Sequence, residues 1–450
     1  MSYTFNTLPT ITMPEKANNP VIYELLSNYT YGAKWNVVFD SNNNCITMGN
    51  YTKADYKDCE YVLNVTDEGV YIEGSSYPAL MHGFISFLEH IKYSDADDSF
   101  YIENCCIAEN PLISFRCVHL CIFPETDLDF FKKYVRSCAI AKFSHIIFEF
   151  WGMLNFDCLK ELSWPFAYSK EQIKQIVAEA NALGVEIIPM FNHLGHASAC
   201  REINGKHVVL DQNPKYEYMF TSYGWTWNFK RNDVYNLLSC VRNELIDLCG
   251  EGDYFHLGCD EAYACGHDSN NAKDIAMYLN KISKELKEKG RKSIIWHDML
   301  LSQNEFADYI ASSNNDVSQI LINNLDKEII VADWQYFCHN ELWKTSKKLK
   351  DNGFNVVCCP WDNNENITEA LNTITSNNLY GIIHTTWHTL FKGFREMIFA
   401  GVMSYGTREE NFHDILRFYC ASVARKAMPS MGEYEKSGWA KKMTAPDRAE

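Results

Sequence analysis

Residues 113–123 read ISFRCVHLCIF, and they open an alternation of short apolar runs with helical patterns that decides the fold. Seven further runs of the same kind follow: SHIIFEF (144–150), VEIIPMF (185–191), YFHLG (254–258), KSIIWH (292–297), EIIVADW (328–334), FNVVCCP (354–360) and YGIIHTTW (380–387). Because strands that alternate with helices form a parallel sheet, the eight runs predict an α/β fold of the (β/α)8 TIM-barrel type. A doubly wound open sheet is the alternative, but no G-x-G-x-x-G follows the first run to support its nucleotide-binding form.

The residues before this alternation predict a small α/β domain. The stretch EYVLNVTDEGVYIEG (60–74) alternates apolar and polar residues on both sides of an Asp-Glu-Gly turn, which is typical of a β-hairpin. Residues 77–91 show helical spacing, with Pro78 in the first turn and apolar residues on one face. We therefore expect an N-terminal domain over 1–109 and a barrel domain over 110–450 that closes with a helix and a polar tail, KKMTAPDRAE.

Composition and charge exclude several classes of partner. The chain has 450 residues, of which 46% are hydrophobic and 22% charged, and its net charge of −17 argues against nucleic acid. The chain has no apolar run of about 18 residues, the length that would predict a membrane span. The 17 cysteines form no C-x-x-C, and the first residues do not resemble a signal peptide, so we expect reduced thiols and a cytoplasmic location. A secreted chain trimmed of its leader would look the same.

Chemistry-bearing side chains concentrate at the ends of the eight runs. In an α/β barrel, the reacting residues gather where strands end and loops begin, on one face. The ends supply the following candidates: Arg116, His119, Glu149, Trp151, Asn192, His193, His196, His256, Asp260, Glu261, Trp296, Asp298, Asp333, Trp334, Tyr336, Trp361, Asp362, His384, Trp387 and His388. Their carboxylates and tryptophans predict a pocket on that face of the barrel.

The sharpest candidates are the adjacent carboxylates Asp260 and Glu261, which follow the apolar run at 254–258. Two carboxylates held in unlike environments titrate apart, so that one can act as an acid while the other stays ionised. An exposed acid pair in a loop is the alternative interpretation of such a dipeptide. The position of this dipeptide at a predicted strand end favours a catalytic role.

The segment HLGCDE (256–261) resembles the H-x-G-x-D-E signature of glycoside hydrolase family 20, the β-N-acetylhexosaminidases. Weaker similarities follow in the same order as in that family: SFRC at 114–117, Ile188-Pro189 with Gly195-His196, Trp296-x-Asp298, Trp334 and Trp387. The hairpin and helix near the N-terminus are similar to the small domain that precedes the barrel in the family. The resemblance spans most of the chain.

The resemblance implies exo-acting removal of terminal β-linked GlcNAc or GalNAc from an oligosaccharide or glycoconjugate, with retention and without a cofactor or metal. In this mechanism the substrate's own 2-acetamido oxygen attacks the anomeric carbon. Glu261 would be the general acid and then the base, with a pKa raised by the ionised Asp260, which would bind the acetamide N–H. Arg116 would bind the 3- and 4-hydroxyls through its fork of donors. The other expected substrate contacts are Glu149, His196, Trp296, Asp298, Trp334, Tyr336, Trp361 and Trp387.

Four positions depart from the family pattern. Cys259 stands where a glycine is frequent, and Glu149 lies near the position of a histidine whose downstream aspartate is missing here. Asn192 follows the third run where an acidic pair is common, and the seventh run has no tyrosine for the acetamide oxygen, a place that Tyr336 could take. These differences concern substrate choice more than the class of reaction.

Two other functions are compatible with the barrel. A metal-dependent hydrolase would draw its ligands from His256, His297, Asp298, His384 and His388, although no H-x-H or H-E-x-x-H spacing supports it. A catalytically inactive glycan-binding barrel is the second, and the retention of both Asp260 and Glu261 argues against it.

Overall fold

Eight parallel strands form a closed barrel in which each strand pairs with its neighbours in chain order. They are Phe115–Ile122, His145–Phe150, Glu186–Met190, Tyr254–His256, Lys292–Trp296, Ile330–Asp333, Asn355–Cys358 and Gly381–Thr385. The predicted barrel is therefore confirmed. This computed structural model describes residues 1–5, 8–40, 45–49, 59–198, 206–221, 224–263, 265–387, 390–406 and 412–429.

Every second residue of the strands fills the interior of the barrel. The buried cluster consists of Phe115, Cys117, Ile147, Ile188, Met190, Tyr254, Ile294, Trp296, Ile330, Ala332, Val357, Cys359 and Ile383. Because successive side chains of a strand point to opposite faces, the same alternation carries His119 and Glu149 into the carboxyl end of the interior. Their side chains meet there, with His119 Nε2 at 3.0 Å from Glu149 Oε2.

Helices follow most of the strands along the chain. They are Lys170–Ala182, Asn232–Cys249, Ser269–Glu288, Asn315–Asn324, Lys344–Asp351, Asn364–Asn377 and Phe394–Tyr405, with Leu128–Ile140 after the first strand and Phe412–Lys426 near the end. Capping residues set the limits of these helices. At the helix Lys170–Ala182, Ser169 and Gln172 form a capping box at the start, and Gly184, with φ +78°, follows the end. Shorter segments are the helix Val209–Gln212, the 3₁₀ turns Lys160–Leu162, Pro214–Met219 and Asp298–Leu300, and the paired strands Phe220–Thr221 and Thr226–Trp227.

In the described part of the N-terminal region, the strands form two sheets, accompanied by two helices. The six-stranded sheet has the order Asn36–Asp40, Thr10–Pro14, Cys45–Gly49, Gly69–Gly74, Tyr61–Thr66 and Cys105–Glu109, and the three-stranded sheet has the order Ser2–Thr4, Ser99–Glu103 and Lys92–Ser94. The helices are Pro20–Tyr29 and Tyr77–His90, with a 3₁₀ turn at Glu15–Ala17. The predicted hairpin is present, and Gly83 lets the second helix approach it, since a Cβ there would lie 2.6 Å from Ile72 Cγ2.

Contacts divide the chain into two compact units. One contains 1–109, 127–140 and the described part of 418–450, and the other contains 110–126 and 141–417. The sequence-based limits instead place the helices Leu128–Ile140 and Phe412–Lys426 with the barrel, and those limits stay a prediction of domain organisation. Among the described helices, none has both the length and the apolar composition that crossing a membrane requires.

Candidate active site

The loop after the fourth strand has an unusual backbone that presents the two predicted carboxylates. Gly258, Cys259 and Glu261 have φ values of +67°, +76° and +51°. Cβ-bearing residues rarely adopt this left-handed conformation, and when they do so at a functional site, the surrounding structure has to hold them there. Cys259 thus takes, at some cost, a conformation that favours glycine. This gives a physical reason for the glycine that is frequent at its position in the family it resembles.

The loop after the third strand packs closely against these carboxylates. Gly195 has no side chain, and a Cβ at this position would lie 2.1 Å from the backbone oxygen of Asp260. The next residue, His196, also has a positive φ, +56°. The absence of a Cβ at Gly195 therefore lets the third-strand loop bring His196 beside the pair.

Asp260 is held by three side chains from the third strand and its loop. Asn192 Nδ2 donates to Asp260 Oδ1 at 2.8 Å. On the other oxygen, His196 Nε2 lies 3.4 Å and Lys206 Nζ 3.6 Å from Asp260 Oδ2. Asp260 is buried, so its carboxylate has a fixed orientation.

Glu261 is held through its backbone and through its carboxylate. Its backbone N–H donates to Asp298 Oδ2 at 2.9 Å, and its carbonyl accepts from the indole of Trp225 at 2.7 Å. Its carboxylate lies 3.1 Å from His196 Nε2 and keeps 25% of its side-chain surface exposed. Of the two adjacent acids, Glu261 is therefore the one that faces solvent.

The pKa of Glu261 is lowered, contrary to the expected increase. Burial raises the pKa of Glu261, but the hydrogen bond and charge of His196 outweigh it and leave that pKa below its ordinary value. Burial lowers the pKa of His196, whereas the Asp260 and Glu261 carboxylates raise it above its ordinary value. The contact between His196 and Glu261 therefore stabilises the charged form of each side chain.

Asp298 supports the catalytic loop. It is completely buried, and its Oδ2 accepts the backbone N–H of Glu261. Burial, followed by the neighbouring charge of Asp260, raises the pKa of Asp298 to about 6. Asp298 therefore holds the backbone of Glu261, and its contact with the substrate stays a prediction.

Glu149 belongs to a buried network centred on a lysine. Glu149 accepts hydrogen bonds from His119 and Trp151, both at 3.0 Å, and Lys206 Nζ lies 2.8 Å from its Oε1. Burial raises the pKa of Glu149, but Lys206 and His119 lower it well below its ordinary value. This carboxylate is thus buried and enclosed by protein donors, and its contact with the substrate stays a prediction.

Lys206 was missed in the sequence because no predicted strand ends near it. Its side chain is buried, and its Nζ lies 5.0 Å from the ring centre of Trp387 and 5.5 Å from that of Trp151. The available signal was a lysine that directly precedes the run HVVL (207–210). A lysine next to an apolar run indicates a buried ion pair with a carboxylate, because lysine is rarely buried without a charged partner.

Five predicted aromatic residues form one continuous wall. The rings of Trp296 and Trp387 are 5.5 Å apart, and the Trp387 indole donates to the hydroxyl of Tyr336. Tyr336 in turn lies 5.2 Å from Trp334 and 5.3 Å from Trp361. The structure thus brings together the ends of the fifth, sixth, seventh and eighth strands in a single aromatic surface.

Arg116 is not part of this site. It is the second residue of the first strand, at the amino end of the barrel, and the paired carboxylates Asp260 and Glu261 lie at the carboxyl end. Its Nε donates to the carbonyl of Lys142 at 2.9 Å, and its Nη1 donates to those of Ile113 and Ser114 at 2.8 and 3.1 Å. The predicted role in binding sugar hydroxyls is corrected: the guanidinium binds backbone and joins the starts of the first two strands.

The metal-site alternative finds little support in the parts of the chain that the structure describes. Ligand-like spacing occurs there in two groups: His119 with Cys121 and Glu149, and Cys158 with Cys240 and Glu244. An ammonium group already lies 2.8 Å from a carboxylate oxygen of each, Lys206 in the first and Lys170 in the second. Of the histidines proposed as ligands, His297 instead contacts Asp333 at 3.2 Å, and His388 lies outside the described residues.

Comparison with known proteins identifies the family. The model of Glycosyl hydrolase family 20, catalytic domain, matches residues 152–392, more than half of the chain. Beta-hexosaminidase subunit B1 of Dictyostelium discoideum is 22% identical over 74% of this chain and 66% of its own length. A probable beta-hexosaminidase of Arthroderma benhamiae is 24% identical over 67% and 51%. The chain thus spans less than two thirds of the length of these two relatives.

A solved structure supports the same assignment at the level of the fold. The chitobiase of Flavobacterium johnsoniae superimposes with a TM-score of 0.64 at 17% identity, over 95% of this chain and 70% of that protein. The barrel, the paired carboxylates at the end of its fourth strand and the family match agree with one another. This chain belongs to glycosyl hydrolase family 20.

Proposed function

We propose that the protein is an exo-acting β-N-acetylhexosaminidase that removes terminal β-linked GlcNAc or GalNAc by retaining, substrate-assisted hydrolysis. The observation that carries this proposal is the unlike surroundings of two adjacent carboxylates. Asp260 is buried and bound on both oxygens, whereas Glu261 is partly exposed and bound to His196. One carboxylate is therefore fixed in orientation, and the other is free to exchange a proton with a ligand.

Glu261 and His196 together supply the acid. Transfer of a proton from the imidazolium of His196 at Nε2 to Glu261 Oε2, across 3.1 Å, would leave a neutral imidazole beside a protonated carboxyl group. Exclusion of water by a bound sugar favours this neutral arrangement, because burial disfavours charge on both groups. Glu261 can then protonate the leaving oxygen, and afterwards it takes a proton from the attacking water.

Asp260 orients the nucleophile. In substrate-assisted hydrolysis the acetamide oxygen closes onto the anomeric carbon, and the acetamide N–H acquires positive character that a fixed carboxylate stabilises. Asn192 and Lys206 fix this carboxylate before the substrate arrives. The aromatic wall from Trp296 to Trp361 supplies an apolar surface for the sugar ring and the acetamide methyl group.

Hydrolysis of 4-nitrophenyl glycosides tests this proposal. The N-acetyl-β-glucosaminide or the N-acetyl-β-galactosaminide should be cleaved, whereas plain β-glucoside and β-galactoside should react negligibly because they lack the acetamide nucleophile. A thiazoline-fused sugar, which resembles the cyclised intermediate, should inhibit competitively and far more tightly than the product sugar. Brisk β-galactosidase activity, or a sugar trapped covalently on Asp260 or Glu261, would contradict the mechanism.

A further inference from the structure

Lys206 connects the two halves of the buried network under the site. Its Nζ lies 2.8 Å from Glu149 Oε1, 3.4 Å from Asn192 Oδ1 and 3.6 Å from Asp260 Oδ2. Two of these partners, Asn192 and Asp260, are themselves hydrogen-bonded to each other. The ammonium group therefore touches both the carboxylate assigned to the acetamide and the amide that orients it.

The same loop holds both carboxylates of the catalytic pair. The backbone N–H of Lys206 donates to the carbonyl of His196 at 2.8 Å. His196 contacts Glu261, and Lys206 contacts Asp260. A displacement of one side chain would thus be transmitted to the other through a single hydrogen bond.

Neutralising Glu149 does not account for Lys206 by itself. Glu149 already accepts from His119 and Trp151, and the thiol of Cys121 lies 3.3 Å from the same Oε2. The faces of Trp387 and Trp151 cover the ammonium group, which excludes water and strengthens its attraction to nearby charges. Burial lowers the pKa of Lys206, but Asp260 and Glu149 raise it above its ordinary value, so the group stays cationic.

We propose that Lys206 is a positioning residue that acts through Asp260, holding its Oδ2 in the orientation that receives the acetamide N–H of the substrate. This inference rests on the proposed function, because that function makes the acetamide N–H of the sugar the partner of Asp260. The charge on the reacting acetamide develops only as the ring closes, so a positioning residue of this kind affects the transition state more than the bound ground state.

The test compares Lys206→Met, the double variant Glu149→Gln/Lys206→Met and the control Lys170→Met. Lys170 is also bound to carboxylates, Asp157 and Glu244, but it lies outside the site. The double variant guards against misfolding, because Lys206→Met alone leaves the buried Glu149 charge without its cation and Glu149→Gln removes that charge. Thermal unfolding and circular dichroism would establish that each variant is folded.

We expect kcat on the N-acetylhexosaminide to fall by about 10²-fold in both Lys206 variants, the scale of losing one preorganised electrostatic partner. KM and the affinity for the free product sugar should change by less than about threefold, while the affinity for the thiazoline analogue should fall in parallel with kcat. The double variant should recover stability but not kcat, and Lys170→Met should behave as the wild type does.

Recovery of wild-type kcat in the double variant would overturn the inference, because Lys206 would then serve only to neutralise Glu149. Equal losses of affinity for product and analogue would overturn it too, since they indicate general damage to the pocket. A wild-type protein that does not cleave N-acetylhexosaminides would instead overturn the proposed function, and the inference with it. If the wild type is active and the Lys206 variants keep its kcat, the inference about Lys206 is contradicted and the proposed function is not.

Discussion

Two buried cations lie at opposite ends of the barrel, and their partners differ in kind. Arg116, at the amino end, donates to the backbone carbonyls of Ile113, Ser114 and Lys142. Lys206, at the carboxyl end, binds the side-chain carboxylates of Glu149 and Asp260. Both side chains are almost completely enclosed.

This difference separates stability from chemistry. Backbone carbonyls are present whatever the sequence, so a cation bound to them stabilises the path of the chain. A carboxylate bound to a cation requires Asp or Glu at one particular position, and its orientation can serve a reaction. Loss of Arg116 should therefore appear in the free energy of unfolding, and changes among the groups at the carboxyl end should appear in turnover.

The largest effect is expected for Glu261→Gln at the carboxyl end. Glutamine keeps the shape and loses the transferable proton, so kcat on a substrate with a poor leaving group should fall by about 10²-fold or more. A nitrophenyl substrate needs less protonation and should lose less. Equal, small losses on both substrates would remove Glu261 from the acid role. Glu288→Gln, at the exposed end of the helix Ser269–Glu288, is the matched control and should leave both rates unchanged.

The next effect concerns stability at the amino end. Arg116→Met removes the donors to three backbone carbonyls, and each buried polar group left without a partner costs roughly 1–3 kcal/mol. We expect the free energy of unfolding, measured by urea denaturation, to fall by about 3 kcal/mol or more. The folded variant should keep its kcat and KM. A tenfold loss of kcat/KM at an unchanged free energy of unfolding would instead indicate that Arg116 binds the substrate.

A smaller, pH-dependent effect should follow from Asp298→Asn. The pKa of Asp298 is raised to about 6 in the folded protein, so between about pH 4 and 6 the folded state binds more protons than the unfolded state. The contribution of Asp298 to stability is therefore present at low pH and is lost as pH rises. The stability of Asp298→Asn relative to wild type should increase over this interval, by up to about 3 kcal/mol. A difference that stays constant with pH would contradict the assignment.

The smallest effect is expected for Tyr263→Phe. The Tyr263 hydroxyl bonds to the carboxylate of Glu261 and contributes to lowering its pKa. Loss of this donor should raise the pKa of Glu261 in the free enzyme. Because Glu261 has to be protonated to act as the acid, the alkaline limb of the kcat/KM profile should move up by less than about one pH unit. The maximal kcat should stay within about twofold. An alkaline limb that moves down would contradict the direction.

The barrel and the acid pair could be predicted because both leave local patterns. Eight apolar runs separated by helical spacing are enough for the fold, and HLGCDE lies at the end of one run. The error at Arg116 has a simple cause: the apolar run ISFRCVHLCIF does not mark where the strand begins. The strand starts at Phe115, so Arg116 lies at its start and only its far end faces the site. The roles of Lys206 and of the His196–Glu261 contact could not be predicted, since they depend on contacts between residues 54 or more positions apart.

Gly195 limits how this site could be redesigned. The backbone oxygen of Asp260 occupies the space that any larger residue at 195 would need, so a library that randomises the turn 194–196 would lose the geometry of the acid pair in nearly all its members. The aromatic wall does not share this restriction, because Trp334, Tyr336 and Trp361 meet ring against ring. Variation aimed at a new sugar therefore belongs on the sixth and seventh strands.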